Sequence, residues 1–243
     1  GIVSCGAEEP NAICQIGSKK DLTEPNVRAT ELELYEGLEA SSQNCWPNVK
    51  FDIGGINNFI SPLIPAGFYY KTFMWPKSFW KKVYEPLIRL SAGLGKSPTE
   101  PDPDIYDHKY VHYDVLVIGG GVSGIIAAKM AAKNNLKTLL VDDKKILGGS
   151  TIYQNNESIK IDDKLSSEWL KNEIQEIKKL SNLTIKTRTS IAAYHGYNFL
   201  LAKENLTDHL PEEKKKNKIR QRLWKIRAKK VVIATGSIER PLV

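Results

Sequence analysis

Six glycines, two acids, a serine and a threonine, set in three short stretches, are the residues here whose spacing suggests chemistry. Gly119, Gly121 and Gly124 follow the apolar run Asp114 to Ile118 in the spacing G-x-G-x-x-G. Seventeen residues separate Gly124 from Asp142, which closes a second apolar run, Lys137 to Val141. Gly148, Gly149 and Ser150 come next in the turn LGGS, and Thr235 and Gly236 close a third run, Val231 to Ala234. In the first pattern one glycine turns the chain sharply, the second admits a pyrophosphate close to the backbone, and the third lets a helix pack against the strand. A carboxylate at Asp142 can accept two hydrogen bonds from an adenosine ribose, and Asp143 is the alternative because a one-residue slip of the turn would exchange them. An acid there repels a 2′-phosphate, so NAD or FAD is expected over NADP, with Lys144 and Lys145 acting weakly in the opposite direction. None of these residues is a base, acid or nucleophile placed for bond breaking, so binding of a dinucleotide is expected and no catalytic residue is assigned.

The elements needed to position these residues can be read around them. Asp114 to Ile118 and Lys137 to Val141 are expected as buried strands, joined by a helix over Ile125 to Lys133 and a turn at Asn134-Asn135. The amides at the start of that helix, and the positive end of its dipole, would face the pyrophosphate. Ser166 to Leu180 is expected as an amphipathic helix with Trp169, Ile174, Ile177 and Leu180 inward and Ser166 or Ser167 as cap. Leu183 to Lys186 is a short strand, and Thr189 to Tyr194, Asn198 to Lys203 and Arg222 to Ala228 alternate as strands of a small antiparallel meander. His195, at a turn with Gly196, has no acidic or nucleophilic partner nearby in sequence and is expected as a surface residue.

The composition fits a folded chain of one large or two small domains: 243 residues, 41% hydrophobic, 26% charged and 9% aromatic. No apolar stretch is long enough for a membrane-spanning helix, since the best, Val115 to Ala128, is short and interrupted by glycines. The net charge of +7 does not signal nucleic acid. Residues 203–230 hold 11 Lys or Arg against 4 Asp or Glu, which leaves 24 of each sign elsewhere. A phosphate-binding surface needs basic residues spread over a face, whereas EEKKKNK reads as a solvated hairpin tip. Three scattered cysteines, Cys5, Cys14 and Cys45, point to a reducing, cytoplasmic setting rather than a disulfide framework.

Ten of the 12 prolines and five of the six phenylalanines precede residue 113, so the chain is expected to divide near residue 112. The segment SPTEPDPDIYDHKY, Ser97 to Tyr110, reads as an extended connector. Before it, Thr30 to Glu39 is expected as a strand and turn, and Ser78 to Gly93 as a helix kinked or broken at Pro86. The aromatic run PAGFYYKTFMWPKSFW is expected to pack on the chain's own second domain or on a partner subunit.

An apolar strand ending in ATG, about 90 residues after the LGGS turn, is similar to the strand that returns to the Rossmann sheet in the two-dinucleotide-domain flavoprotein superfamily. GAEEPNA (Gly6 to Ala12), PNVRATELELYEGL (Pro25 to Leu38), PAGFYYKTFMWP (Pro65 to Pro76), YEPLIR with AGLG (Tyr84 to Gly95), PTEPDPD (Pro98 to Asp104) and ATGSIERPLV (Ala234 to Val243) together resemble the alpha subunits of the heterotetrameric sarcosine oxidase family. The resemblance implies the N-terminal part of a longer subunit, an α/β fold with a Rossmann-type parallel sheet and antiparallel meander over 113–243, an aromatic and Pro-rich linker over 61–112, and a degenerate ferredoxin-like β-grasp remnant over 1–60. In relatives that carry a two-iron cluster the cysteines run C-x4-C-x2-C; counted from Cys5, the matching positions hold Pro10 and Ile13, with Cys14 one residue out of register, so no iron-sulfur cluster is expected.

The resemblance further implies oxidative demethylation of sarcosine to glycine, with hydrogen peroxide formed and the one-carbon unit passed to tetrahydrofolate. FAD would lie in the beta subunit, FMN at the alpha–beta interface, and NAD in this chain, in a complex completed by gamma and delta subunits. Gly119, Gly121, Gly124, Asp142, Gly148, Gly149, Thr235 and Gly236 would then line the NAD site, with no nucleic acid or membrane as partner. Two other readings stand beside this one: a subunit of a related heteromeric amino-acid or opine dehydrogenase, and a scaffold whose bound dinucleotide is structural.

Overall fold

The computed structural model describes residues 13–17, 23–29, 32–43, 45, 47–48, 50–53, 75–91, 93–95, 97–152 and 159–237. The chain forms two compact units, residues 1–103 with 209–211, and residues 104–208 with 212–243.

In the first unit β1 (Ile13–Ile16) pairs antiparallel with β2 (Glu24–Arg28) on one side and β3 (Ala40–Ser42) on the other. Pro25 sits in β2, an edge strand, where its missing N–H breaks no ladder. The expected strand within Thr30 to Glu39 is absent among the described residues; Leu34 stands in solvent there, and a turn at Glu36-Gly37 leads into β3. Asn26 binds the ends of the unit together: its Oδ1 accepts from Gln43 Nε2 (2.5 Å) and from the Gly95 N–H (3.0 Å). A hairpin of β4 (Pro47–Asn48) and β5 (Phe51–Asp52) turns on the Asn48 side chain, which accepts the N–H groups of Lys50 and Phe51. The helix expected over Ser78 to Gly93 is composite: a 3-10 turn (Lys77–Phe79), a π-helical turn (Trp80–Tyr84) and α1 (Glu85–Ser91). Pro86 falls where the π-helical turn gives way to α1, a change of helix type at the residue expected to kink or break the helix. The cluster-related positions Cys5 and Pro10, and most of the aromatic run, lie outside the described residues.

The second unit is built on one six-stranded mixed sheet. Its strands are β6 (Ile105–Ile118), β7 (Thr138–Val141), β10 (Leu183–Lys186), β11 (Thr189–His195), β12 (Phe199–Asn205) and β13 (Ile219–Ile233), in the order β10-β7-β6-β13-β12-β11. The first four in that order are parallel, and β11, β12 and β13 form the expected antiparallel meander. A small separate hairpin, β8 (Lys160–Ile161) with β9 (Lys164–Leu165), precedes the second major helix.

Two strands differ from the sequence expectation in the same way. β6 begins at Ile105 rather than Asp114, so part of the expected connector, and the expected boundary near residue 112, lie inside a strand. The meander strand at Arg222 to Ala228 and the returning strand at Val231 to Ala234 are one continuous β13, paired with β6 from Ile219↔Ile105 to Ile233↔Ile118. Each long strand satisfies the other's backbone groups, which local sequence on either one does not reveal.

Helices α2 (Val122–Lys133) and α3 (Ser166–Lys178) cover one face. Ile125, Ala128 and Ala132 of α2 pack with Ile177 of α3 on Val115, Val117 and Leu140, and the alanines let α2 lie close to the strands. Lys129 joins the helices, its Nζ 2.7 Å from both Glu173 and Glu176. α3 starts at Ser166, with Leu165 at the capping position and no side-chain cap, so the serine-cap expectation fails; Ser166 is itself buried. A second cluster joins Leu116, Leu139 and Val141 to Leu200, Ala202, Trp224, Ile226 and Ala228 of the meander. The sheet curls over this cluster, because Lys186 of β10 reaches Glu204 of β12 (3.0 Å) although three strands stand between them. The basic tip between β12 and β13 carries a four-residue helix, α4 (Glu212–Lys215). Among the described residues no helix is long and apolar enough to cross a membrane.

Candidate dinucleotide site

The three sequence stretches meet at the C-terminal ends of β6, β7 and β13, the end of a parallel sheet where ligands are generally held. The join between β6 and the turn that follows is tight. The Gly119 N–H donates to the Val141 carbonyl (2.8 Å), and the Ala234 N–H donates to the Ile118 carbonyl (2.8 Å). Gly119 has a φ of +104° and no room for a Cβ, which would meet the Ala234 backbone, so only glycine serves there. A Cβ on Gly124 would collide with the Gly119 carbonyl oxygen, which is the close helix-to-strand approach expected of the third glycine.

Gly121 differs from both. Its φ of −73° and ψ of −175° are open to any residue, and the nearest atom to a Cβ placed on it is the Gly149 Cα at 3.9 Å. Among the described residues, nothing requires glycine at this position. Gly121 also occupies the N-cap position of α2 without a side-chain cap, and the first turn of α2 carries no acid. The leading amides of α2 therefore present the positive end of the helix without a side-chain anion from the cap.

The second turn closes against the first. The Gly148 N–H donates to the Gly120 carbonyl (2.7 Å), and a Cβ on Gly149 would stand 3.1 Å from the Gly121 Cα. Thr151 fastens this turn from below, its Oγ1 donating to the Gly148 carbonyl (2.5 Å), while Ser150 lies in the short 3-10 helix Gly149–Ile152. Thr235 and Gly236 follow β13 and are exposed, with Gly236 at a φ of +65° in open space.

The two acids occupy different surroundings. Asp142 is 9% exposed, its Oδ2 accepting the Gly120 N–H (2.5 Å) and its Oδ1 the Lys144 N–H (2.8 Å). Burial pushes its carboxyl above the ordinary aspartate value, against the pull of those two N–H donors. Asp143 has a half-exposed carboxylate 3.3 Å from the Lys144 ammonium. The G-x-G-x-x-G pattern leaves position 120 free, so spacing alone does not mark Gly120. A Cβ there would meet Leu147 and the Asp142 carboxylate, and both its N–H and its carbonyl are engaged. His195 ends β11 with its ring 5.8 Å from Phe199, remote from these turns in the strand order. Among the described residues, no group of three His, Cys, Asp or Glu side chains is placed to hold a metal ion.

A sequence model of the family described as FAD dependent oxidoreductase matches residues 114–227, from the apolar run before the glycine motif through most of the meander. The chain is 44% identical over all of its 243 residues to a sarcosine oxidase subunit alpha of Rhizobium meliloti, and 29% identical over its whole length to that of a Corynebacterium species. It spans 24% and 20% of those relatives, respectively. Among solved structures, an L-proline dehydrogenase from P. horikoshii is similar over 60% of this chain and 27% of its own, at 24% identity and a TM-score of 0.44. The likeness to sarcosine oxidase alpha subunits thus runs the full length of the chain, including the segments before the glycine motif.

Proposed function

We propose that this chain is the dinucleotide-binding part of an alpha subunit of a sarcosine oxidase, and that it holds NAD at the meeting point of the turns after β6, β7 and β13. The observation that carries the proposal is Gly121, at the uncapped start of a helix: among the described residues, no atom comes closer than 3.9 Å to where a Cβ on it would stand. The uncapped amides at the start of α2 suit the charge of a diphosphate, and glycine backbone on both turns lets one approach. Gly119, Gly120, Gly124, Gly148 and Gly149 hold the two turns at the separation this requires, Ser150, Thr235 and Gly236 border them, and an acid after β7 faces the adenosine ribose.

In this reading the protein oxidises the methyl–nitrogen bond of sarcosine as one subunit of a cytoplasmic heterotetramer with beta, gamma and delta partners. FAD in the beta subunit and FMN at the alpha–beta interface carry the redox chemistry, and tetrahydrofolate takes the one-carbon unit. NAD, when bound, supplies a nicotinamide that can exchange hydride. The residues of this chain at the turns bind and orient it.

A second reading is favoured by the family match over residues 114–227: the same turns hold FAD. The colour of the isolated chain separates the two, since the NAD reading requires it to be colourless and the FAD reading requires a stoichiometric flavin spectrum. Gly121→Val in the assembled complex tests the site itself. Dinucleotide content should fall at least about tenfold with assembly intact, the equivalent of about 1.4 kcal/mol or more. Unchanged dinucleotide content would overturn the site, and lost dinucleotide with unchanged demethylation would move the function to a structural scaffold.

A further inference from the structure

The antiparallel meander and β6 sort their charges by face. Residues paired across neighbouring strands share a face, and β12 and β13 turn Leu200, Ala202, Trp224 and Ile226 into the core. The acids go the same way: on that inward side Asp107 pairs with Arg222, and Glu204 with Lys186. The opposite face is formed by positions 106, 108, 110 and 112 of β6, 223, 225 and 227 of β13, and 199, 201 and 203 of β12. None of these positions holds Asp or Glu, whereas Lys203, Lys225 and Arg227 are basic. The two bases on β13 meet rings instead of carboxylates. Lys225 lies over Tyr110, 4.5 Å from the ring centre, and donates to its hydroxyl (2.7 Å), and the Arg227 guanidinium lies 5.0 Å from the Phe199 ring centre.

One end of this face carries a strained turn. Tyr197, between β11 and β12, is 94% exposed and has a φ of +59°, a backbone state that a bulky side chain rarely takes. Arg227 holds it there, donating to the Tyr197 carbonyl (2.9 Å), while the Tyr194 hydroxyl donates to Asn198 Oδ1 (2.6 Å). Tyrosine and arginine are among the residue types that most often dominate binding between proteins, and here the one is displayed beside the other.

We infer that this outward face is where an acidic surface of another subunit docks, with carboxylates meeting Lys203, Lys225 and Arg227 and with Tyr197 as the anchor at its end. The inference rests on the reading of the chain as one subunit of a complex. Charge complementarity carries it: a face with bases and no acid attracts carboxylates, and bases already ordered against rings lose little freedom when they pair. A single-stranded nucleic acid fits less well, because its bases would stack on ring faces that Lys225 and Arg227 already cover.

The test uses the assembled complex purified through this subunit and treated with a carbodiimide, which joins amines to carboxylates in direct contact. Lys203 or Lys225 should be found cross-linked to Asp or Glu of another subunit. Lys225→Glu combined with Arg227→Glu should weaken association at least about a hundredfold, since like charges then face each other, and Tyr197→Ala about thirtyfold. Added salt should weaken association of the wild type and not that of the double variant. Lys216→Glu, the same change of charge on the exposed basic tip, should leave association unchanged. Cross-links from these lysines only to later parts of the same subunit overturn the inference, as does unchanged association in the double variant and Tyr197→Ala. Equal weakening by Lys216→Glu also overturns it, since net charge rather than this face would then be acting. An oligodeoxynucleotide that wild type binds and the double variant does not, with no cross-link to another subunit, overturns it in favour of nucleic acid. Should the double variant fail to fold, the cross-links and Tyr197→Ala still decide the outcome. A subunit that purifies alone overturns the subunit reading and this inference with it, whereas chains that co-purify without a cross-link here overturn this inference only.

Discussion

At the scale of single residues, the glycines sort by what surrounds them. Gly124→Ala would drive a methyl group into the Gly119 carbonyl, a backbone atom that cannot yield, and should destabilise the protein by about 3 kcal/mol in urea titrations. Gly121→Ala meets nothing closer than 3.9 Å and keeps an ordinary backbone, so its stability should stay within about 1 kcal/mol of wild type while dinucleotide affinity falls. The motif announced Gly119, Gly121 and Gly124 by spacing alone. It could not announce Gly120, because the crowding there comes from Asp142 and Leu147, more than 20 residues away in sequence. For the same reason Asp142 and Asp143 look interchangeable in sequence, and only burial and hydrogen bonding tell them apart.

At the scale of elements, the paired length of β6 and β13 is secured by ion pairs as well as the backbone ladder. Arg222 grips Asp107 with two hydrogen bonds, Nε to Oδ1 at 2.8 Å and a terminal nitrogen to Oδ2 at 3.0 Å, and Arg220 bridges Asp104 and Asp208. The Arg222 hydrogen bond holds the Asp107 carboxyl below the ordinary aspartate value. On acidification the unfolded chain then binds a proton at this position before the folded one does, so the stabilisation is present above about pH 4 and lost as pH falls through the lowered value. Asp107→Asn should therefore lower the urea midpoint at pH 7 and converge with wild type as pH falls through the lowered value.

Glu204 is the buried counterpart, accepting from Trp224 Nε1 (2.8 Å) and Lys186 Nζ (3.0 Å). Glu204→Ala leaves both donors without that acceptor and should cost about 3 kcal/mol in the same assay. The short apolar strands and both major helices were legible because their periodicity is local. The polar half of β6, IYDHKYVH, was not, because its outward residues stay exposed and its partner lies some 115 residues further along the chain.

At the scale of the whole molecule, the polar half of β6 decides where the second unit begins. A fragment starting at Asp104 keeps the full β6–β13 ladder and should unfold in one cooperative thermal transition. One starting at Tyr113 strips the partner from Ile219 to Arg227 and exposes a long strand edge, and should aggregate or melt without a sharp transition. Circular dichroism and light scattering on the two fragments distinguish these outcomes. The first unit was the less legible in sequence, since Pro25 and Asn26 argue against a strand that forms only because β1 offers it an edge.

The unbroken course of β13 also constrains how such chains can diverge. One added or deleted residue between Gln221, past the bulge at the start of the strand, and Ile233 would turn every later side chain to the opposite face and shift Ala234 away from Gly119. Insertions and deletions among homologues should therefore gather at residues 206–218, before the strand begins, and be missing from 219–236, a pattern that gap positions in aligned homologous sequences would reveal directly.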